Sequence, residues 1–132
     1  MISLVRALGL HRPDRTPCGQ PVAVAEAHAL LELCRDAGLT QNGLAARLRL
    51  DKSTVSRIVT LLERRDWVER HRDKGDARVV HVRVTRGGRE AAASLAASRQ
   101  AKFSTIFAAI PRTQRAHVDD ALDTLIKVIR ET

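Results

Sequence analysis

Residues 51–67, DKSTVSRIVTLLERRDW, decide how this chain is read. Val55, Ile58, Val59 and Leu62 recur at helical spacing and define one face for burial. Asp51 stands just before them as an N-cap, its carboxylate placed to accept from a backbone N–H of the first turn. At the leading tip, Lys52, Ser53, Thr54, Ser56 and Arg57 have little value in a core and much hydrogen-bonding capacity. Arg64 and Arg65 close the helix where its dipole favours cations. The helix is amphipathic along its length, with a polar, cationic end suited to touching something polar.

The period changes after this helix. WVERHR (67–72) and ARVVHVRVT (77–85) alternate as strands do, with Val80, Val82 and Val84 on one side and Val79, His81 and Arg83 on the other. DKGD (73–76) between them is a turn at Gly75, so the pair reads as a hairpin. Its tip is expected to carry Arg70, Arg72, Lys74 and Arg78. Upstream, VAVAEAHALLELCRDAG (22–38) is a helix apolar on more than one side, with Gly38 as a left-handed stop. LTQNGLAARLRL (39–50) is a second short helix capped by Thr40, with Leu44, Ala45 and Leu48 inward. Gly43 occupies the place of a capping-box Glu, and Asp66 the place of a C-terminal glycine. The order is helix, turn, helix with a polar tip, then a basic hairpin: a winged helix-turn-helix.

Outside this lobe, MISLVRALGL (1–10) is a short apolar helix, followed by the Pro-, Gly- and charge-rich loop HRPDRTPCGQP (11–21). A long Ala-rich helix runs from about Gly88 to Ile110, where Pro111 stops it. The last helix carries Val118, Ala121, Leu122, Leu125 and Ile129 as a regular stripe. The expected fold is therefore mainly α with a small β-hairpin wing, one domain over 1–132. The winged lobe is placed at about 20–86, and segments 1–19 and 87–132 form the dimerisation region. Phe103, Ile106, Leu122, Leu125 and Ile129 are the residues expected at a homodimer interface, because exposed apolar rows mark interfaces.

The 132-residue chain carries +8, from 23 Lys and Arg against 15 Asp and Glu. Residues 51–90 hold 11 of those cations and 7 of the acids, so this segment supplies +4 of it. Such a balance suits a polyanion. Aromatics are 2% of the chain, Trp67, Phe103 and Phe107, which disfavours single-strand or RNA modules that stack bases on exposed rings. Duplex DNA remains: phosphate contacts and groove reading, with Ser, Thr and Arg at the helix tip reaching base edges. No Gly-rich nucleotide loop, nucleophile motif or acid/base pair is present, so an enzyme is not expected. No apolar run reaches membrane-spanning length and the first residues do not read as a signal peptide, which sets the expected location as cytoplasmic. A winged helix used only for protein contacts is the alternative, against which the hydroxyl-rich tip argues.

The stretch LDKSTVSRIVTLLERRDWVERHRDKGDARVVHVRVTRGGRE (50–90) resembles the multiple-antibiotic-resistance regulator (MarR) family of bacterial repressors. The resemblance covers roughly residues 20 to 110 well and the termini more loosely. It implies a homodimer with interlocking N- and C-terminal helices and two winged lobes reading a palindromic operator. By the family pattern, Arg78 is the wing arginine and Asp76 its orienting carboxylate. Ser53, Thr54, Ser56 and Arg57 fall in the base-reading segment; Lys52 at the helix tip and Arg72 and Lys74 on the hairpin are the further residues expected to touch DNA. The helix before the loop is shorter than the family's usual first helix. The resemblance also implies a small-molecule effector that relieves repression. Some family members instead sense peroxide through an N-terminal cysteine or bind zinc through His, Cys and Glu. Here that role would fall to Cys18, with His11, Glu26 and His28, although their spacing matches no closed metal motif. Cys18 follows Pro17 in an open loop, with Arg12 and Arg15 nearby to favour a thiolate. His28 and Cys34 are expected to be buried packing residues.

Overall fold

The computed structural model describes residues 1–132. Its elements are α1 (Ile2–Ala7), α2 (Val24–Arg35), α3 (Gln41–Leu48), α4 (Lys52–Arg64), β1 (Val68–Arg72), β2 (Val80–Val84), α5 (Arg86–Ala109) and α6 (Arg112–Glu131). The chain divides into two compact units, Met1–Arg99 and Gln100–Thr132.

The first unit contains the helices and hairpin of the winged lobe, together with α1 and the start of α5. Leu30 and Leu33 from α2, Leu44 from α3, Val55, Val59 and Leu62 from α4, and Val82 from β2 are fully buried together. Ala92 and Leu95 of α5 join the same core. The face of α4 is the one its spacing predicts, and each such aliphatic side chain contributes about 1.5–3 kcal/mol on burial. Both expected caps form: Thr40 Oγ1 accepts from Gly43 N at 3.0 Å, and Asp51 Oδ1 accepts from Thr54 N at 2.7 Å. A Cβ at Gly43 would lie 2.9 Å from Leu39 Cδ1 and 3.2 Å from the capping Thr40 Oγ1, so a larger residue there requires the Leu39 side chain to shift. Asp66 takes the left-handed conformation (φ 59°) expected of a C-terminal glycine, and Arg49 does the same (φ 53°) in the turn between α3 and α4.

Gly38 is not the left-handed stop of α2. The helix ends at Asp36, which is extended (φ −138°) and whose Oδ1 accepts from Gly38 N at 3.1 Å. The aspartate thus makes its own turn two residues on, and the glycine has no positive φ to supply.

β1 and β2 pair antiparallel, with Val68 opposite Val84, Arg70 opposite Val82 and His71 opposite His81. The free edge of β2 takes a further short pairing: Thr40 bridges His81, and Val82 N donates to Leu39 O at 3.3 Å. The wing is thereby tied to the residues that lead into α3. After β2, Thr85 Oγ1 donates to Asp66 O at 2.6 Å and accepts from Gly88 N at 3.0 Å, joining the end of α4 to the start of α5.

The second unit contains the end of α5 and all of α6. None of residues 100–132 is buried, and only Ile110, Arg115 and Val118 are even half-buried. Arg115 donates to Ile110 O at 3.0 Å and Ala108 O at 3.1 Å and lies over the Phe107 ring at 5.6 Å. Phe103, Ile106, Phe107, Leu122, Leu125, Ile126 and Ile129 are all exposed.

Candidate nucleic-acid interface

The tip of α4 is organised by Asp51. Its carboxylate accepts from Thr54 N and from Ser53 Oγ, both at 2.7 Å. The Thr54 N–H foremost, then the Ser53 hydroxyl, hold its pKa down at about 2, with Arg57 contributing at longer range. Asp51 is therefore ionised at neutral pH and occupied with capping. Lys52, Ser53 and Arg57 are exposed around it, and Thr54 is half-buried.

The wing turn is built on two further carboxylates. Asp73 accepts from Gly75 N at 2.9 Å, from Asp76 N at 3.0 Å and bonds His81 Nε2 at 2.9 Å. The His81 bond is the main cause of its lowered pKa, followed by the two backbone N–H groups. Asp76 Oδ1 accepts from Arg78 Nε at 3.1 Å and from Arg78 N at 3.0 Å, while Oδ2 takes Nη2 at 3.2 Å. The side-chain bonds to Arg78 lead in lowering the pKa of Asp76. The fork orients the guanidinium yet leaves the Arg78 side chain 91% exposed. Arg72 donates to Ala77 O at 3.0 Å across the turn, and Lys74 is exposed.

Two of the expected placements need correction. Arg70 is not at the wing tip: it shares a strand face with buried Val68 and turns inward onto α4 and α3. Strand alternation puts residue 70 on the inner side with residue 68, and that signal is decisive over its charge. Ser56 faces the same way, its Oγ accepting from Arg70 Nη2 at 3.3 Å. Arg70 and its partners Gln41, Thr60 and Glu63 form a cluster that the sequence pattern does not announce.

The residues expected to sense redox state or zinc do not come together. Glu26 is buried and pairs with Arg65 Nε at 3.0 Å, which in turn covers Trp67 at 4.9 Å. Cys18 Sγ lies 2.9 Å from Thr16 Oγ1, in a loop held by Thr16 and Gln20. His11 and His28 are exposed, and no three His, Cys, Asp or Glu side chains are arranged to hold a metal ion. His28 and Cys34 are not core residues either: both lie on the exposed side of α2, because the buried side is taken by Ala27, Ala29, Leu30 and Leu33. Partial desolvation pushes the Cys34 thiol up, and Arg89 partly offsets it.

His28 and Cys34 line a cavity of about 960 Å³ within the first unit. Leu31, Leu48, Val84 and Ala92 supply apolar wall, and Arg83, Arg89 and Arg99 supply charge. Arg35 and Arg47 at its rim are neutralised by Glu32 and Asp36, the closest pair being Arg47 Nη2 to Asp36 Oδ2 at 2.6 Å. Arg89 gives one N–H to Val84 O at 3.1 Å; Arg83 and Arg99 make no ion pair.

Comparison with known proteins places these features. Residues 21–79 match the family model described as the MarR family. Over all 132 residues the chain is 26% identical to an uncharacterised HTH-type transcriptional regulator of Mycobacterium bovis, covering 89% of that protein. The fold is that of Streptococcus pneumoniae FabT, solved in complex with DNA: TM-score 0.74 at 22% identity, with 98% of this chain and 88% of that one covered. It is also that of the Streptomyces coelicolor transcriptional regulator PcaV, solved with its natural ligand: TM-score 0.72 at 21% identity, covering 96% of this chain and 86% of that one. No helix is long and apolar enough to cross a membrane.

Proposed function

We propose, from the premise that residues 21–79 belong to the MarR family, that this protein is a dimeric, sequence-specific regulator that represses transcription from a palindromic operator. One observation carries the reading. The leading tip of α4 presents Lys52, Ser53 and Arg57 free of any core role, in the same unit as a wing whose Arg78 is oriented but 91% exposed. A helix N-terminus of this kind fits the major groove, and an arginine on a hairpin tip suits the backbone or the minor groove. The DNA complex of FabT supports the same use of the fold. A pool of random duplexes selected on the protein is expected to yield a two-fold-symmetric sequence with half-sites about one helical turn apart. Arg57→Ala should relax specificity by about 1–3 kcal/mol at one position of each half-site. Arg78→Ala should weaken all duplexes and reduce the salt slope by about 1. A pool that enriches nothing rejects the regulator reading.

The effector is an organic anion held in the cavity of the first unit. Apolar wall and the unpaired Arg83 and Arg99, with Arg89 between them in sequence, make a place for a carboxylate on a small hydrophobic body. The ligand complex of PcaV supports an effector in this fold. Small aromatic and aliphatic carboxylates, titrated against the protein–duplex complex, should release the DNA from wild type. The release should weaken about tenfold in Arg89→Ala, the loss of one charge-assisted contact. Release that is the same in both proteins, or absent from wild type across the set, rejects the site.

A further inference from the structure

The geometry points to Arg70 as a positioning residue that sets the rotation of the recognition helix about its own axis, so that specificity rather than affinity depends on it. The inference rests on the DNA-reading function proposed above.

Every N–H donor of the Arg70 guanidinium has an acceptor inside the lobe. Nε donates to Gln41 Oε1 at 3.0 Å, on the first residue of α3. Nη1 donates to Thr60 Oγ1 at 3.0 Å and to Glu63 Oε1. Nη2 donates to the Ser56 carbonyl oxygen at 2.6 Å and to Ser56 Oγ at 3.3 Å. Arginine has no further donor to offer, and the side chain is only 25% exposed, with Glu63 balancing its charge. A basic residue in a basic protein is here withheld from the phosphates.

What it holds is a second rail along α4. Val55, Ile58, Val59 and Leu62 fix one stripe of the helix against the core. Ser56, Thr60 and Glu63 recur at i, i+4 and i+7 and form an adjacent stripe, and all three are bound by this one guanidinium. Ser53 and Arg57, also four apart, project from the remaining side. An apolar stripe alone leaves a helix some freedom to roll, because dispersion contacts are non-directional. Hydrogen bonds at fixed angles from β1 remove that freedom. A roll of about 20° would carry the outer end of a side chain about 2 Å along the groove, given a helix radius of roughly 5–6 Å with side chains. That displacement exceeds what a bidentate base contact tolerates. Phosphate contacts made by flexible exposed cations survive it.

The test compares affinity for the selected palindrome with affinity for a random duplex, across a salt series, in wild type, Arg70→Met and Thr60→Val. Arg70→Met should lose about tenfold or more on the palindrome, the worth of one base contact. It should change by less than about twofold on random duplex and keep the wild-type salt slope, because no phosphate contact is removed. Thr60→Val removes one neutral partner without stranding a charge, so it keeps the test alive should Arg70→Met fail to fold. It should lower the palindrome-to-random ratio by about threefold, the loss of one neutral hydrogen bond. Equal losses on both duplexes with a shallower salt slope would identify Arg70 as a phosphate contact and overturn the proposal. An unchanged ratio in every variant that folds overturns it as well. A wild type that does not discriminate between duplexes rejects the regulator reading itself, and this inference falls with it. A discriminating wild type beside an equally discriminating variant rejects this inference alone.

Discussion

Replacing Leu122 and Leu125 with glutamate is expected to leave a monomer that no longer holds a palindromic duplex. The reasoning starts from what the second unit lacks. None of residues 100–132 is buried, although Phe103, Ile106, Leu122, Leu125 and Ile129 are large and apolar, with exposures from 37% to 66%. The end of α5 and the whole of α6 bury no residue and so have no core of their own, and exposed apolar rows of this extent mark association surfaces. A second copy of the chain supplies an identical row, and burying each aliphatic side chain gives about 1.5–3 kcal/mol. Glutamates at 122 and 125 would have to enter that interface unpaired. Tethering two lobes raises affinity for a two-half-site duplex by roughly 100-fold or more, and the variant should lose that factor while keeping weak lobe binding. Sedimentation of both proteins and a shift assay on the palindrome decide it. A stable wild-type monomer at micromolar concentration would sink the dimer.

The second large effect concerns a single hydrogen atom. Gly88 is buried in the first turn of α5, where a Cβ would stand 2.0 Å from the Trp67 carbonyl oxygen and 2.8 Å from Val84 Cγ1. The obstacle is backbone, itself held by the Thr85 N–H at 2.9 Å, so it cannot turn aside as a side chain would. Gly88→Ala should therefore destabilise the protein by about 3 kcal/mol or more, at the upper end for overpacking. Gly87→Ala is the control. Its nearest neighbour would be 3.7 Å away, and alanine in a helix is favoured over glycine by up to about 1 kcal/mol. Denaturant unfolding of the two variants should move in opposite directions. Equal midpoints would mean that α5 shifts freely at this end.

Local chemistry made most of the lobe legible. The inward face of α4, the caps at Thr40 and Asp51, the left-handed Asp66 and the hairpin at Gly75 follow from spacing and from hydrogen bonds within a few residues. The Asp76–Arg78 fork came from the family likeness. What failed depended on neighbours distant in sequence. Arg70 reads as a surface cation until Gln41, Ser56, Thr60 and Glu63 are seen around it. The edge pairing of β2 with Leu39 and Thr40 has no signature, since two residues are too few to alternate. Cys34 and His28 sit in an apolar run whose buried side could be placed only once α3 and α4 had claimed it. Gly38 is the exception, a local one: it reads as a left-handed stop, and Asp36 two residues earlier offers a competing way to end the helix.

The placement of Trp67 has a spectroscopic consequence. It is the sole indole, and the chain has no tyrosine, so excitation at the red edge of protein absorption is emitted from one site alone. That site lies between the end of α4 and the first residue of β1, with the Arg65 guanidinium 4.9 Å from its ring and the Thr85 N–H on its carbonyl. Emission energy and lifetime there depend on that cation and on solvent access. The junction between α4 and the wing thus carries a native optical label, and no dye or engineered probe is required to follow it.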